Sequence, residues 1–192
     1  MTTQLWRDSL RLMADLWITA LSNHSTTRES ILEHRFLADV AAQLWSEGEF
    51  GLSISHSEVD NAGYDVIVEA RGVTRHIQLK TLHQRGKARY FSIQHRLQDK
   101  PSGCIVLIRH DAKSLAVTHY EFVGGLPGEK LSLSGGKTAR HTKGDAQGFK
   151  TERPALRLLP RSAFTVMPSM AALTERLFGS ASLPVGLAAE GE

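Results

Sequence analysis

Two short segments, 64–70 and 73–81, carry valine and isoleucine and are separated only by Arg71 and Gly72. A link this short that contains glycine is typical of a tight turn, so the pattern predicts two paired strands. Side chains alternate between the two faces of a strand, and one face of the second segment carries Thr74, His76, Gln78 and Lys80. Because a buried polar group without a partner costs about 1–3 kcal/mol, this row indicates a polar pocket rather than an ordinary core.

Further periodic patterns surround this pair of strands. Apolar residues at helical spacing predict an amphipathic helix over 4–21 and a second helix that ends near Gly48, with Thr26 as its N-cap and Glu29 completing a capping box. Strands are predicted at 52–56, 90–94, 104–109 and 115–123, and a short helix follows Pro168. This order favours an α/β fold, with a central mixed β-sheet flanked by helices on both faces.

The 192 residues are predicted to form a single domain, because that length suffices to bury one core. Within it we expect an N-terminal helix in 1–25 and a flexible tail at 181–192. The segment 126–161 is rich in glycine and basic residues. Such a composition predicts a basic loop region or a loosely paired ribbon.

Composition excludes several classes of protein. No apolar run approaches the roughly 20 residues that cross a bilayer, and acidic residues interrupt the apolar N-terminus, unlike in a signal peptide. We therefore expect a cytoplasmic protein with no membrane partner. A single cysteine, Cys104, excludes an intrachain disulfide and a cysteine-based zinc site. The net charge of +3 permits binding to nucleic acid without demonstrating it.

Two carboxylates accompany the polar strand face. Asp65 opens the first strand of the pair, next to the strand that carries Gln78 and Lys80. Glu33 falls at helical spacing with Phe36, Leu37 and Val40, which places it on the inward face of the second helix. An unpaired carboxylate is costly there, and Mg²⁺ prefers such hard oxygen ligands.

Each of these residues also has an ordinary structural alternative. Asp65 could cap a turn or a strand, and Lys80 could be an edge-strand lysine whose stem covers the sheet. Gln78 could form a cross-strand hydrogen bond. Glu33 could pair with Arg35 or with another basic side chain. The sequence alone leaves these alternatives open.

The set as a whole resembles a known family. A helical Glu33, then Gly63-Tyr64-Asp65 at a strand start, then Gln78-Leu79-Lys80 in a strand that ends at Thr81, is similar to the PD-(D/E)XK nuclease superfamily. That superfamily includes type II restriction enzymes and Holliday-junction resolvases. The resemblance covers roughly 29–123 and is strongest to small nuclease-like domains of mobile elements and antiviral-defence loci. It implies a restriction-endonuclease-like core.

The resemblance also implies a role for each site residue. Asp65 would be the central Mg²⁺ ligand, and Glu33 a ligand directly or through water. Gln78 would supply its side-chain oxygen in place of the usual acid, which removes one negative charge from the site. The main-chain carbonyl of Leu79 would complete the ligand set. Lys80 would orient the attacking water and stabilise charge on the phosphate during metal-dependent hydrolysis of DNA, with Mn²⁺ as a substitute metal.

Two basic segments are candidates for gripping DNA. Residues 82–89 contain no acid, and 126–161 hold eight lysines and arginines against three acids, an excess of five. Glycine lets a backbone approach phosphate closely. The alternative, a solvated surface loop, is equally open. The DNA-binding candidates are His76, Arg85, Lys87, Arg89, Lys137, Arg140 and Lys143.

Two kinds of function follow from these patterns. The first is a Mg²⁺-dependent endonuclease that acts on DNA, as a homodimer or within a larger defence complex. The second is a nuclease-like module in which Gln78 has weakened the metal site and the basic segments bind nucleic acid or a partner protein. Asp65 and Glu33 separate the two. A nuclease needs both residues as metal ligands, whereas a binding module keeps its DNA affinity when they are replaced by alanine.

Overall fold

The computed structural model describes residues 2–57, 63–140 and 150–181. Within these ranges the chain forms three α-helices: α1 (Thr2–Asn23), α2 (Ser25–Ser46) and α3 (Met170–Phe178). The strands of the described residues are β1 (Ser53–His56), β2 (Val66–Ala70), β3 (Val73–His83), β4 (Tyr90–Gln94), β5 (Gly103–His110), β6 (Val117–Gly124), β7 (Lys137–Arg140), β8 (Glu152–Pro160) and β9 (Thr165–Val166). Short 3₁₀ helices cover His95–Asp99 and Arg161–Ala163. None of the described helices has the length and apolar content needed to cross a membrane.

A six-stranded mixed sheet forms the centre of the protein, in the order β1-β2-β3-β5-β6-β9. Strands β3 and β5 are parallel, and the other neighbouring pairs are antiparallel. The parallel pair requires a crossover, which the chain makes through β4 and the 3₁₀ helix at His95–Asp99. The predicted α/β architecture with a central mixed sheet is confirmed.

The two faces of the central sheet are covered differently. On one face, apolar residues of α2 and α3 pack with Ile77, Cys104, Val106 and Ile108. On the other face, Ile105 and Leu107 pack against a second, three-stranded sheet in the order β4-β8-β7. The predicted flanking helices are therefore present, with the α-helices α2 and α3 on the first face. On the second face, the cover within the described residues comes from apolar side chains of β4, β8, the segment 131–133 and the 3₁₀ helix at His95–Asp99.

The segment predicted as a basic, glycine-rich loop at 126–161 contains two strands of that second sheet. β8 pairs with both β4 and β7, so the ribbon alternative describes this segment better than a loop does. Leu156 and Leu159 are buried. The many lysines and glycines around them lower the average hydrophobicity of the segment, so the sequence pattern did not indicate this buried strand. Lys143 and most of the predicted tail at 181–192 lie outside the described residues.

A fully buried arginine joins α3 to the central strand. Arg75 of β3 is 0% exposed. Its guanidinium donates to the carbonyl oxygens of Leu177 at 2.5 Å, Arg176 at 2.7 Å and Gly125 at 3.1 Å. Burial lowers the pKa of Arg75 from its ordinary value. The carbonyls at the end of a helix carry partial negative charge, which suits a buried cation.

The start of α2 differs from the predicted capping box. The helix begins at Ser25 behind His24, which makes no side-chain cap hydrogen bond. Only one residue separates α1 from α2, and the amide of Arg28 donates to the carbonyl of His24. Thr26 therefore lies inside the helix and cannot be its N-cap. Glu29 instead pairs with Arg28 at 2.5 Å.

Candidate active site

The site forms where β3 extends beyond its neighbour β2. Among the described residues, pairing between β2 and β3 reaches Ile77, and residues 78–83 pair with β5 alone. At this point the Asp65 amide donates to the Ile77 carbonyl at 2.9 Å. The Asp65 carboxylate then accepts a hydrogen bond from the Leu79 amide at 2.6 Å. The side chain of Asp65 thus supplies the hydrogen-bond acceptor that a neighbouring strand would otherwise give to the Leu79 amide. This bond holds the Asp65 carboxylate beside Lys80.

One face of the first turns of α2 is directed toward Asp65 and Lys80. Thr26, Ser30 and Glu33 recur at spacings of four and three, and Glu29 precedes Glu33 by four. Residues at these spacings lie on one side of a helix. The next buried positions along α2, Leu32 and Phe36, pack into the core and hold that side against the sheet.

These elements enclose a cavity of about 480 Å³. It brings Glu33, Asp65, Leu79 and Lys80 together, four of the residues that the sequence predicts for the site. Its lining also contains Thr26, Arg28, Glu29, Ser30, Thr81 and Ile108. Three carboxylates and two cations therefore line one half-open cavity.

Sequence reasoning missed Glu29 and His56. Glu29 was assigned to the capping box that does not form, although its four-residue spacing from Glu33 is the signal that places it at the cavity. His56 of β1 contacts the carboxylate of Glu33, with 3.0 Å between Nε2 and Oε1. The alternation of β1 indicated only a strand, and its pairing with α2 is visible only in three dimensions. The predicted alternative partner for Glu33, a basic side chain, is thus His56 rather than Arg35.

Lys80 lies in the part of β3 that extends beyond β2, opposite Leu107 of β5. Only one side of the strand is paired there, so the alternative of an edge-strand lysine is not removed by the strand order. Lys80 is partly buried, and it lines the cavity together with Glu33 and Asp65. Carboxylates favour a partly buried cation.

Gln78 has a different environment from the other site residues. It is 4% exposed, and its side-chain oxygen accepts a hydrogen bond from the Gln94 amide at 3.1 Å. It does not belong to the lining of the cavity. Gln94 belongs to β4, so this hydrogen bond joins the two sheets rather than two neighbouring strands of one sheet. A metal-binding role for Gln78 stays a prediction.

The donor set of the cavity fits a hard divalent cation better than a soft one. Glu33 and Asp65 provide carboxylate oxygens from two elements, and Thr26, Ser30 and Thr81 provide hydroxyls nearby. Across the described ranges, no group of three or more histidine, cysteine, aspartate and glutamate side chains is placed to hold a metal ion. Mg²⁺ commonly uses one or two carboxylates and keeps several waters, whereas structural zinc needs a closed set of ligands.

The predicted DNA-binding residues fall into separate places. His76 packs its ring against Tyr64, 4.9 Å between centroids, and its Nδ1 donates to the Pro101 carbonyl at 2.9 Å. This arrangement gives His76 a structural role. Five others are exposed on loops or on the outer strand of the second sheet: Arg85, Lys87, Arg89, Lys137 and Arg140. Of these, Arg140 forms an exposed ion pair with Glu152.

A buried ion network holds the basic loop that follows β3. Glu121 is 2% exposed and contacts Arg109 at 3.1 Å and Arg161 at 3.0 Å. Arg109 also donates to the carbonyls of Leu82, at 3.2 Å, and Gln84, at 3.1 Å. The loop at 84–89 is thereby tied down about 13 Å along the strand from Lys80, at roughly 3.3 Å per residue.

No protein-family model, curated protein or solved structure matches the chain. The geometry of the cavity and its surroundings therefore carries the functional argument.

Proposed function

We propose that the protein is a metal-dependent nuclease that hydrolyses DNA phosphodiester bonds, with a core of the PD-(D/E)XK type. One observation carries the proposal. Glu33 of α2, Asp65 before β2 and Lys80 of β3 come from three distant parts of the chain and line a single cavity. Two carboxylates and an ammonium in one site are the groups that metal-assisted phosphodiester hydrolysis uses.

Each residue has a defined task in this proposal. Asp65 and Glu33 hold the cation, and the Leu79 amide and the His56 ring fix the orientation of these two carboxylates. Lys80 orients the attacking water and stabilises the negative charge that develops on the phosphate. A bound Mg²⁺ would neutralise phosphate charge and lower the pKa of a coordinated water.

The exposed basic loop at 84–89 supports DNA as the substrate. It carries Arg85, Lys87 and Arg89 without an acid and is anchored by the buried Arg109–Glu121 pair. Cations that neutralise backbone phosphates supply sequence-independent affinity. A loop fixed at the end of the strand that bears Lys80 presents these cations beside the cavity.

The test is cleavage of supercoiled and linear DNA in Mg²⁺, in Mn²⁺ and in EDTA. We expect cleavage that needs metal and that falls by roughly a hundredfold or more in Lys80→Met. Lys113→Met removes the same charge from an exposed hairpin turn and should leave cleavage unchanged. Metal-independent cleavage, or equal activity of the two variants, would contradict the proposal.

The position of Gln78 favours a second candidate function, a module that binds nucleic acid without cutting it. Its side-chain oxygen accepts a hydrogen bond from Gln94, and Gln78 is not part of the cavity lining. In that case the wild type would cut no DNA form with either metal, and Lys80→Met would retain its DNA affinity.

A further inference from the structure

A second pocket, of about 370 Å³, opens where β4 begins and β8 ends. We refer to it as the Tyr90 pocket, and its lining includes Lys87, Arg89, Tyr90, Pro160, Arg161 and Ser162. Pockets that hold small ligands commonly measure about 300–1,000 Å³. Among the described residues, none lines both this pocket and the cavity of Glu33 and Lys80. The Tyr90 pocket is therefore a separate place for a ligand.

Backbone contacts fix the shape of the Tyr90 pocket. Tyr90 pairs with Pro160 at the end of the antiparallel β4–β8 ladder. One step beyond that pair, the Arg161 amide donates to the Arg89 carbonyl at 2.8 Å. Arg89 and Arg161 are therefore held side by side at this end of the second sheet, next to the Tyr90 ring.

The Tyr90 pocket carries an excess of positive charge. Lys87, Arg89 and Arg161 line it, and no acidic residue of the described chain does so. Arg161 contacts Glu121 at 3.0 Å, but the same carboxylate oxygen also accepts from Arg109 at 3.1 Å. One carboxylate cannot offset two guanidinium groups. The Arg109 side chain is 5% exposed and that of Arg161 is 40% exposed, so the remaining charge is presented at the pocket.

Tyr90 adds an exposed aromatic ring to this positive surface. Tyr90 is 57% exposed, whereas Phe91, the next residue of β4, is 7% exposed and packs in the core. Because side chains alternate along a strand, the Tyr90 ring faces away from that core. Aromatic rings beside cations bind single-stranded nucleic acid, since bases stack on the rings and the cations hold the phosphates.

The ring and the cations differ in the form of DNA that they recognise. In a duplex the bases are stacked on one another and present only their edges in the grooves, so their faces are closed to Tyr90. A duplex could contact the cations alone. A strand with unpaired bases offers both a base face and a phosphate, and it therefore fits the whole pocket.

We propose that the Tyr90 pocket binds one unpaired nucleotide of a DNA strand, with its base stacked on Tyr90 and its phosphate held by Arg89 and Arg161. The choice of DNA rests on the proposed function, whereas binding in the pocket does not depend on cleavage. Lys87 follows Lys80 by seven positions, which is at most about 25 Å of extended chain. A strand of about eight nucleotides covers that distance even at the 3.4 Å spacing of a duplex. One strand can therefore occupy both the pocket and the cavity.

Binding without metal tests the proposal apart from cleavage. The affinities for a labelled oligothymidine strand and for a blunt duplex of the same length are measured in EDTA. We expect Tyr90→Ala to weaken binding of the strand about fivefold or more and to leave binding of the duplex nearly unchanged. Phe50→Ala is the matched control, because it removes a ring that is 67% exposed and lies outside the pocket lining. It should change neither affinity.

Two further variants separate the aromatic face from the rest of the side chain. Tyr90→Phe keeps the ring and should bind the strand like the wild type. Tyr90→Leu keeps apolar bulk opposite Pro160 without an aromatic face, and should bind the strand as weakly as Tyr90→Ala. Thermal melting checks that each variant is folded, and Tyr90→Leu decides the matter if Tyr90→Ala melts early.

The salt dependence of binding tests the phosphate contact. Arg89→Gln should lower the slope of log affinity for the strand against log salt concentration by about 0.7, the value for one phosphate contact on a single strand. Lys113→Gln removes an equal charge from the β5–β6 hairpin and should leave the slope unchanged. An unchanged slope in Arg89→Gln would remove the phosphate from Arg89.

Several results would overturn the inference. Strand affinity of Tyr90→Leu equal to that of the wild type would show that no base stacks on Tyr90, and an equal loss for strand and duplex would show that unpaired bases are not recognised. Tighter Tyr90-dependent binding of oligouridine RNA than of oligothymidine would replace DNA as the ligand. A protein that binds the strand through Tyr90 and cuts no DNA would refute the nuclease and leave the pocket standing. Metal-dependent cleavage with a strand affinity that ignores Tyr90 would do the reverse.

Discussion

The Leu79 amide donates a 2.6 Å hydrogen bond to the carboxylate of Asp65, one step beyond the last backbone pairing between β2 and β3. The side chain of Asp65 thus continues the hydrogen bonding along β3 beyond the point where the backbone pairing with β2 ends. The arrangement gives Asp65 two tasks, since it completes the hydrogen bonding of the central strand and supplies negative charge to the cavity.

These two tasks can be separated by substitution. In Asp65→Asn the amide oxygen still accepts from Leu79, so we expect the free energy of unfolding to stay within about 1 kcal/mol of wild type while metal-dependent cleavage is lost. Asp65→Ala should lose cleavage and about 1–3 kcal/mol of stability, because the Leu79 amide loses its partner. Urea unfolding and plasmid cleavage measure the two effects. Full activity of Asp65→Asn would remove this residue from the catalytic site.

Gln78→Glu tests whether this position belongs to the metal site. Gln78 is 4% exposed and accepts a hydrogen bond from Gln94. A carboxylate is costly in such a place, so we expect lower thermal stability near neutral pH and no change in the Mn²⁺ concentration that gives half-maximal cleavage. A clear fall in that concentration would return Gln78 to the ligand set.

Gly63 is required by the approach to Asp65. Its φ is +86°, and a Cβ at this position would lie 2.8 Å from the Leu97 amide nitrogen. We expect Gly63→Ala to displace Asp65 and to reduce both stability and cleavage. Gly72→Ala is the control, because its φ is +70° but a Cβ there meets nothing within 4 Å. The control should cost only the roughly 1–2 kcal/mol of a left-handed alanine and should keep its activity.

Arg75→Met should destabilise the fold strongly. The substitution leaves the carbonyls of Arg176, Leu177 and Gly125 without their donor in a buried position. We expect a loss of more than about 3 kcal/mol in the free energy of unfolding. Arg71→Met is the comparison, since Arg71 donates to Gly179 and Glu47 nearer the surface. A loss no larger than that of Arg71→Met would contradict the structural role of Arg75.

Stability should fall as the pH drops below neutrality. Burial lowers the pKa of His83 and His110 below the ordinary value of 6.5, and neighbouring arginines add to the effect. The unfolded chain therefore takes up protons first, and the folded state loses stability as pH falls from about 7 through 6.5 and below. His110→Asn should flatten this dependence, whereas His34→Asn, at an exposed position of α2, should not. Thermal melting between pH 5 and 8 measures it.

Much of the sheet follows from local patterns in the sequence. The pairing of β2 with β3 follows from valine and isoleucine on either side of Arg71 and Gly72, and the β5–β6 hairpin from two apolar runs around Asp111. Helix spacing puts Glu33 on the inward side of α2, and strand alternation puts Lys80 on the same face of β3 as Gln78. The cavity that joins Glu33, Asp65 and Lys80 depends on where the pairing of β2 with β3 ends, which the sequence does not indicate.

The parts that local patterns missed depend on contacts between distant segments. β8 carries its leucines among arginines and prolines, and its pairing with β4 joins segments more than 60 residues apart. The engagement of Gln78 by Gln94 depends on the crossover between β3 and β5. The contact of His56 with Glu33 depends on how α2 lies across β1. Spacing along one element carries no information on any of these.

The hydrogen bonds from Arg75 to the end of α3 have a consequence for synthesis. Arg75 lies 102 positions before Leu177. At roughly 5–20 residues per second, the ribosome needs about 5–20 s to make the acceptors after it has made the donor. During that time the central strand carries a charge that it cannot bury, so β3 cannot settle into its final core. A nascent chain that stops before residue 177 should stay open and reach its native form only when the last helix emerges.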